Sequence, residues 1–348
     1  MITLHADHSP GELRVAAWDG ARLADVAISH DSAADGVGDL HRGRIIARAR
    51  AMAGAFVALD GMEGFLPDSE GAVGEGSILG LRITRAAQGG KGPRLSARLS
   101  PEEQALIGTG SPTLIRRGPD ALGRLMALYP NAPVMRHAFP PELEDAWEDL
   151  ASGFAALPGG ARMSVHVTPA LVAIDVDLGS ASASRQAKIQ AQTDSNRALI
   201  PELAHQLRLR NLSGAILVDL GGMPIKKRAS LAPDFVRALS ADPLNPRFLG
   251  FTGLGLAEIL RPRLHKPLHE LLSGPHALGL AALRRLCLQA DAAPHEALRL
   301  RASPDVAQVL RADQAAQEAV FGRTGRQLEI VEFRDGALRC EIETANGP

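Results

Sequence analysis

Two apolar runs that each carry an aspartate bracket a helical stretch near the middle of the chain, and they constrain the fold more than any other feature. The first is Ala170-Leu171-Val172-Ala173-Ile174-Asp175-Val176-Asp177 and the second Ala215-Ile216-Leu217-Val218-Asp219-Leu220-Gly221-Gly222-Met223. Short runs of branched apolar residues bounded by turn signals read as strands. The first pairs with Arg162–Val167 across Thr168-Pro169. Between the runs, Leu199, Leu203 and Leu207 recur at i+4, one face of a helix expected to start near Asp194 or Ser195. Pro201 inside that pattern implies a later start or a kink. Strand, helix, strand is a parallel βαβ unit. Asp175 and Asp219 then emerge at one edge of the sheet, where open α/β sheets place their sites. Asp177, two residues on, faces the same side as Asp175. Carboxylates converging there suit a hard cation such as Mg²⁺; the alternative is that each aspartate begins a turn or caps a helix.

The N-terminal third reads as β structure. Glu12–Trp18, Asp19-Gly20 and Ala21–Ile28 form a hairpin pattern, since both turn residues accept positive φ. His30 to Gly38 is a polar linker. Leu40–Arg50, Gly54–Leu59, Glu63–Leu66, Ser77–Arg85 and Arg94–Leu99 are five strands in a span that suits a small OB-type barrel. Alternation puts most of His41, Arg42, Arg44, Arg48, Arg50, Arg82, Arg85, Arg94 and Arg98 on its outer face, as an RNA-facing or merely solvated surface. Residues 101–160 mix helix and loop, with helices at Pro101 and over Pro140 to Leu157. Pro233–Arg237 and Gly255–Arg263 read as helices and Arg247–Phe251 as a strand. The last part alternates helix His276–Leu288, strand Glu296–Arg301, helix Pro304–Val320 and strands Gln327–Glu332 and Leu338–Ile342, a small α+β unit.

Composition removes several classes. With 38 basic and 39 acidic residues the net charge is -1, so a histone-like binder is excluded. Only five of the basic residues are lysine, and arginine offers a planar fork suited to phosphate, although a GC-rich genome would give the same bias. At 3% aromatic residues, base stacking must rest on a few rings. No apolar run is long enough to span a bilayer, and the first residues lack a secretory-signal pattern. Cys287 and Cys340, not in a C-x-x-C pair, are expected as reduced core thiols of a cytoplasmic protein.

The central stretch, with Asn196 and Gln206-Leu207-Arg208-Leu209-Arg210-Asn211-Leu212, resembles the catalytic core of the ribonuclease E/G family. Gly11–Ala16 and Asp19–Leu23 resemble that family's opening hairpin, and Gly54–Leu59 with Gly64-Phe65-Leu66-Pro67 its S-one type OB domain. Gly255–Leu264 matches the segment that closes the catalytic domain.

The resemblance implies an α/β and α+β multidomain protein. Residues 1–37 would begin a ribonuclease H-like subdomain, 38–100 form the inserted OB barrel, and 101–160 a shortened sensor and ribonuclease H-like region. Residues 161–270 would be the catalytic α/β domain and 271–348 a small α+β domain. It implies a Mg²⁺-dependent endoribonuclease acting on single-stranded RNA in processing or decay, rRNA included, with Mn²⁺ as a substitute ion. Asp175 and Asp219 would hold the metal, with Asp177 beside them where the family usually has asparagine. Phe56, Phe65 and Lys91 would grip RNA from the barrel, and Arg117 and Arg247 from elsewhere. The family's zinc-sharing cysteine pair is absent: Leu272–His276 occupies that junction, so zinc and a zinc-linked assembly are not expected, while a homodimer through the C-terminal part is left open. Gly118 replaces the threonine of the pocket that reads an RNA 5′-monophosphate, and Gly222 stands where many members have an acid. Indifference to the RNA 5′ end is therefore expected. The rival reading is a non-catalytic RNA-binding protein that retains the fold.

Overall fold

The computed structural model describes residues 1–68, 74–178, 185–334 and 337–344. The chain opens with an antiparallel meander, β1 (Thr3–Ser9), β2 (Glu12–Trp18) and β3 (Leu23–His30). Its second turn is the Asp19-Gly20 hairpin, where the Asp19 carboxylate accepts hydrogen bonds from the Ala21 and Arg22 amides. The next five strands are β4 (Leu40–Ala49), β5 (Gly54–Ala58), β6 (Glu63–Pro67), β7 (Ile78–Arg85) and β8 (Arg94–Ser96). They pair in the order β5-β6-β8-β7-β4, and β4 returns to β5, so the sheet closes into a five-stranded barrel consistent with an OB fold. Ile45, Val57, Leu66, Leu81, Ile83 and Leu95 fill it. Of the basic residues on these strands, His41 is buried while Arg44 and Arg94 face solvent. A Ser100 capping box starts α1 (Pro101–Ile107), and β9 (Thr113–Arg116) extends the barrel sheet beside β4.

The chain then returns to its first layer. Helix α2 (Ala121–Leu128) packs on β2 and β3, and β10 (Val134–Arg136) pairs parallel with β1, giving the order β10-β1-β2-β3. The barrel is thus an insertion between β3 and α2. Strands β9 and β10, with four and three residues, are too short for alternation to reveal them in sequence. Helix α3 (Pro141–Ala151) buries Leu143, Trp147 and Leu150 against this layer.

The central sheet follows. It comprises β11 (Phe154–Ala156), β12 (Arg162–Val167), β13 (Val172–Asp177), helix α4 (Arg185–Leu209), β14 (Gly214–Leu220), α5 (Ile225–Arg228), α6 (Ala232–Leu239), β15 (Arg247–Phe251) and β16 (Ala257–Arg261). The order is β11-β12-β13-β14-β16-β15, with β13 and β14 parallel and every other pair antiparallel. The βαβ unit expected from sequence is present, with two corrections. Helix α4 begins at Arg185, not near Asp194, and runs through Pro201. Both Pro201 and Arg197, whose carbonyl the proline leaves without its helical donor, lie on the exposed side, where water can serve instead. Second, Gly255–Arg263 is not a helix: its centre is strand β16, whose burial alternates through Ala257, Ile259 and Arg261.

Ile174, Val176, Val218 and Leu220 pack beneath Leu199, Leu203 and Leu207 of α4 and Phe235 of α6. Each such side chain contributes about 1.5–3 kcal/mol when fully buried. Among the described residues these helices cover this face of the sheet, while Asp175, Asp177, Ala215 and Asp219 on the other face are exposed.

The C-terminal unit contains α7 (Leu268–Leu272), α8 (Gly274–Ala292), β17 (Leu298–Ala302), α9 (Pro304–Ala312), α10 (Gln314–Thr324), β18 (Ile330–Glu332) and β19 (Cys340–Thr344). The single helix expected over Pro304–Val320 is two, because Asp313 interrupts it and caps α10 by accepting the Ala316 amide. Cys287 and Cys340 are free and buried in this unit's core, and burial raises both thiols, Cys340 to about 11. Among the described residues no helix is long and apolar enough to cross a membrane.

Asp313 also joins the units, accepting from the Ser32 hydroxyl at 2.7 Å and lying 2.8 Å from His276 Nε2. Burial alone would raise its pKa; hydrogen bonds from His276, Ser32 and Ala316 outweigh that and lower it. A carboxyl depressed on folding stabilises above its unfolded pKa, near 3.9, and loses that contribution as pH falls through the folded value. Asp313→Ala is therefore expected to cost about 1–2 kcal/mol in urea unfolding at pH 7. The gap to wild type should shrink below about pH 4. An equal gap at pH 3 and pH 7 would show that the carboxylate charge is not what holds the joint.

Candidate functional site

Register assembles the site. On β13, Val172, Ile174 and Val176 point into the core, so Ala173, Asp175 and Asp177 point to the helix-free face. On β14 the same alternation buries Ile216, Val218 and Leu220 and turns Ala215, Leu217 and Asp219 to that face. The parallel pairing sets Asp175 directly beside Asp219, at a strand spacing of about 4.8 Å. The antiparallel neighbours continue the row: Ser164 of β12 is opposite Asp175, and Phe154 of β11 is opposite Ser164. One row contains Phe154, Ser164, Asp175 and Asp219. A second, on one side, contains Arg162 and Asp177; a third, on the other, contains His166, Ala173, Leu217 and Glu258. The two aspartates thus lie on the open face near the carboxyl ends of their strands, rather than beyond the strand ends.

Asp219 is anchored. Arg228, almost fully buried, donates to Asp219 Oδ1 at 2.7 Å and to the carbonyls of Met223 and Gly255. Half of the Asp219 side chain remains exposed, at 51%. The turn after β14 is tied to α4 by Asn196, whose amide donates to the carbonyls of Gly221 and Gln192. Gly222 has φ +69°, a left-handed backbone conformation that favours glycine.

Among the described residues no group of three or more His, Cys, Asp or Glu could hold a metal ion. Asp175 and Asp219 alone offer a pair of hard oxygen donors side by side. This fits Mg²⁺, which keeps several waters and binds through one or two carboxylates plus substrate phosphate. Asp177 lies two residues, about 7 Å, along β13 from Asp175 and opposite Arg162.

The remaining residues singled out in the sequence are dispersed. Phe56 and Phe65 are directly opposed on β5 and β6, half-buried, with ring centroids 5.8 Å apart. They sit outside the barrel, because Ala55, Val57 and Leu66 point inward. Lys91 is exposed in the loop between β7 and β8. That loop docks on the segment after β16: the Ala86 amide donates to Leu264, and Arg263 donates to Gln88. Arg261 pairs with Gly214, so this is the end of β14 opposite Asp219, about 17 Å along the strand. The loop that carries Lys91 is therefore docked at the end of the sheet away from the carboxylates. Arg247, at the start of β15, lies opposite Leu260 on the open face, about 13 Å along the strand direction from Asp219.

Arg117 is exposed and donates to Asp39, which also accepts the Gly118 amide. A Cβ at Gly118 would lie 2.3 Å from the Val37 carbonyl oxygen, so no hydroxyl-bearing side chain fits there. Sequence reasoning missed Glu258, because its strand was read as a helix, and Phe154, which fell within the helix expected over Pro140 to Leu157, whereas α3 ends at Ala151 and Phe154 begins β11. It also missed Arg228, since no motif or spacing in the sequence ties it to Asp219.

Fold and site define a mixed α/β protein with an inserted barrel and an acidic site on an open sheet face. The model of the Ribonuclease E/G family matches residues 122–264, from α2 to the end of the central sheet, so over these residues the chain is similar to that family. Ribonuclease E of Synechocystis is 35% identical over 120 residues, 34% of this chain and 18% of that protein. Ribonuclease G of Haemophilus influenzae is 31% identical over 131 residues, 37% of this chain and 26% of that protein. Ribonuclease G of Escherichia coli is 27% identical over 192 residues, 54% of this chain and 39% of that protein. The chain thus aligns with less than half the length of each of these relatives. The resemblance seen in the sequence is borne out, and the family match includes Asp175, Asp177, Asp219 and Arg247 but not the barrel.

Replacing Arg228 by methionine leaves the carbonyls of Met223 and Gly255 without this donor and frees Asp219. The expected cost is about 2–4 kcal/mol in urea unfolding. Asp219→Asn, at a half-exposed position, should cost less than about 1 kcal/mol. A mild effect of Arg228→Met would show that the guanidinium is not the anchor of this turn.

Proposed function

We propose that the protein is an endoribonuclease that hydrolyses phosphodiester bonds of single-stranded RNA at the Asp175 and Asp219 face. The observation that carries this reading is the side-by-side placement of the two carboxylates on the helix-free face of the central sheet, within the family-matched residues. Asp175 and Asp219 would hold Mg²⁺, with Mn²⁺ as a substitute and no zinc. The ion would supply a more acidic bound water and offset charge on the phosphate oxygens. Arg228 fixes one oxygen of Asp219 and so sets the direction of the other. Asp177, one row away, would orient the attacking water. Hydrolysis joins the water oxygen to phosphorus, breaks the bond to the 3′ oxygen, and leaves a 5′-phosphate and a 3′-hydroxyl.

The barrel reads as an S-one type OB module, the sheet of β1–β3 and β10 as a ribonuclease H-like layer, and 161–270 as the catalytic domain. Phe56, Phe65 and Lys91 would bind bases several nucleotides from the cleaved bond. Charge supports an RNA path over this junction. Arg85 and Arg94 are opposed across β7 and β8, and burial followed by the charges of Arg94 and Arg263 lowers the Arg85 pKa. Among the described residues none of these three arginines has an ion-pair partner. Like charges held together favour phosphate between them. Arg247 would add a backbone contact on the open face. This reading places the protein with RNA in the cytoplasm, in processing or decay. The Arg117–Asp39 pair and the closed space at Gly118 support indifference to the 5′ end.

The test is cleavage of a short unstructured RNA carrying either a 5′-monophosphate or a 5′-hydroxyl, with and without Mg²⁺. Wild type should cut both within a few-fold of each other, only with the ion. Asp175→Asn and Asp219→Asn should each abolish cutting while still binding RNA. Cutting by either variant would move the active site elsewhere. Binding without cutting by wild type would support the non-catalytic rival, and a tenfold preference for the monophosphate would mean that a 5′-end pocket exists.

A further inference from the structure

The open face of the central sheet carries an aromatic ring that none of the roles above uses. Phe154 is 56% exposed, in a chain whose aromatic content is 3%. Its neighbour Ala155 packs into the core, so the ring stands on the side of the carboxylates. Register puts it in the Asp175 and Asp219 row, with only Ser164 between it and Asp175. Two strand spacings separate it from Asp175, about 10 Å. That is the reach of about three stacked nucleotides at a rise of about 3.4 Å.

The ring is held in place by its backbone. Arg210, nearly buried at the end of α4, donates to the Phe154 carbonyl at 2.7 Å and to the carbonyls of Leu150 and Ser152. The Ser152 hydroxyl donates to the Phe154 carbonyl and accepts its amide. A fixed, exposed ring at an edge strand forfeits apolar burial. Beside it, the Arg162 guanidinium lies 6.0 Å from the ring centroid, and Arg162 is exposed in the row of Asp177. A planar apolar surface with a cation over one face and the other face free to stack matches a nucleobase and its phosphate.

We propose that Phe154, with Arg162 beside it, is a base-stacking subsite for single-stranded RNA, about three nucleotides from the bond placed at Asp175 and Asp219. The inference rests on the reading of that face as the RNA-cutting site. It assigns the ring a base and Arg162 the adjoining phosphate. A stacking contact does not distinguish the four bases strongly, because each has a π face. The subsite would therefore position RNA rather than read its sequence.

The test separates binding from cutting. Affinity for a short unstructured RNA is measured by fluorescence anisotropy without divalent ion, for wild type, Phe154→Ala, Phe154→Leu and Phe154→Trp. The oligonucleotide is also made with one abasic position moved along its length. Loss of one base stack should weaken Phe154→Ala about 5- to 100-fold. Phe154→Trp should restore affinity and Phe154→Leu should not. One abasic position should weaken wild type but leave Phe154→Ala unchanged. Equal affinity of wild type and Phe154→Ala would overturn the proposal, as would full rescue by leucine, which reports apolar packing instead of stacking. Because the ring is exposed, the variants should unfold in urea with wild type. Wild-type protein that binds through Phe154 but does not cut with Mg²⁺ would leave the subsite standing and remove the nuclease reading alone.

Discussion

The one parallel pairing of the central sheet, β13 beside β14, is the constraint on which the rest depends. Side chains alternate with a period of two, so a slip of one residue in either strand would send its aspartate into the core and a core residue into solvent. An unpaired carboxylate in the packed layer beneath α4 would cost several kcal/mol. Burial of Ile174, Val176, Val218 and Leu220 therefore fixes both the register and the carboxylate pair. Helix α4 does more than cross over. Its Asn196 ties down the turn after β14, and Arg210, just beyond its last turn, braces β11 with Phe154. Helix and strand pair together set both ends of the row.

Arginine serves two purposes in this molecule, and net charge conceals both. Arg14, Arg210, Arg228 and Arg261 are buried. Arg14 and Arg261 pair with Asp7 and Asp242, while Arg210 and Arg228 saturate backbone carbonyls. A buried guanidinium removed from such partners leaves several polar groups unsatisfied, so these are structural braces. Arg44, Arg94, Arg162 and Arg247 are exposed instead. The carboxylates at the candidate site repel phosphate, and exposed arginines on the same face and on the barrel offset that repulsion at a distance. A net charge of -1 is the sum of these separate populations.

The sequence revealed what repeated often enough to leave a period. The strands of Asp175 and Asp219, the leucine stripe of α4 and the Asp19-Gly20 hairpin were each legible from a handful of residues. The barrel was legible because five strands with glycine turns fill a short span. Short strands were not: β9, β10 and β11 hold three or four residues each, below the length at which alternation is distinguishable from loop. Strand β16 was misread because Leu256, Ile259 and Leu260 also satisfy helical spacing, and only its pairing with β14 settles the matter. Of the candidate site, the aspartate pair was legible. The docking of the Lys91 loop away from it was not, since sequence order carries no information on which end of β14 receives that loop.

Whether Asp175 and Asp219 together hold one divalent cation decides the proposed reading of this face. Electron paramagnetic resonance of Mn²⁺ titrated into the full chain measures this without RNA and without turnover. The account predicts one bound ion per chain, displaced by excess Mg²⁺, and lost to a similar degree in Asp175→Asn and Asp219→Asn. Mn²⁺ bound as tightly by both variants as by wild type would contradict it.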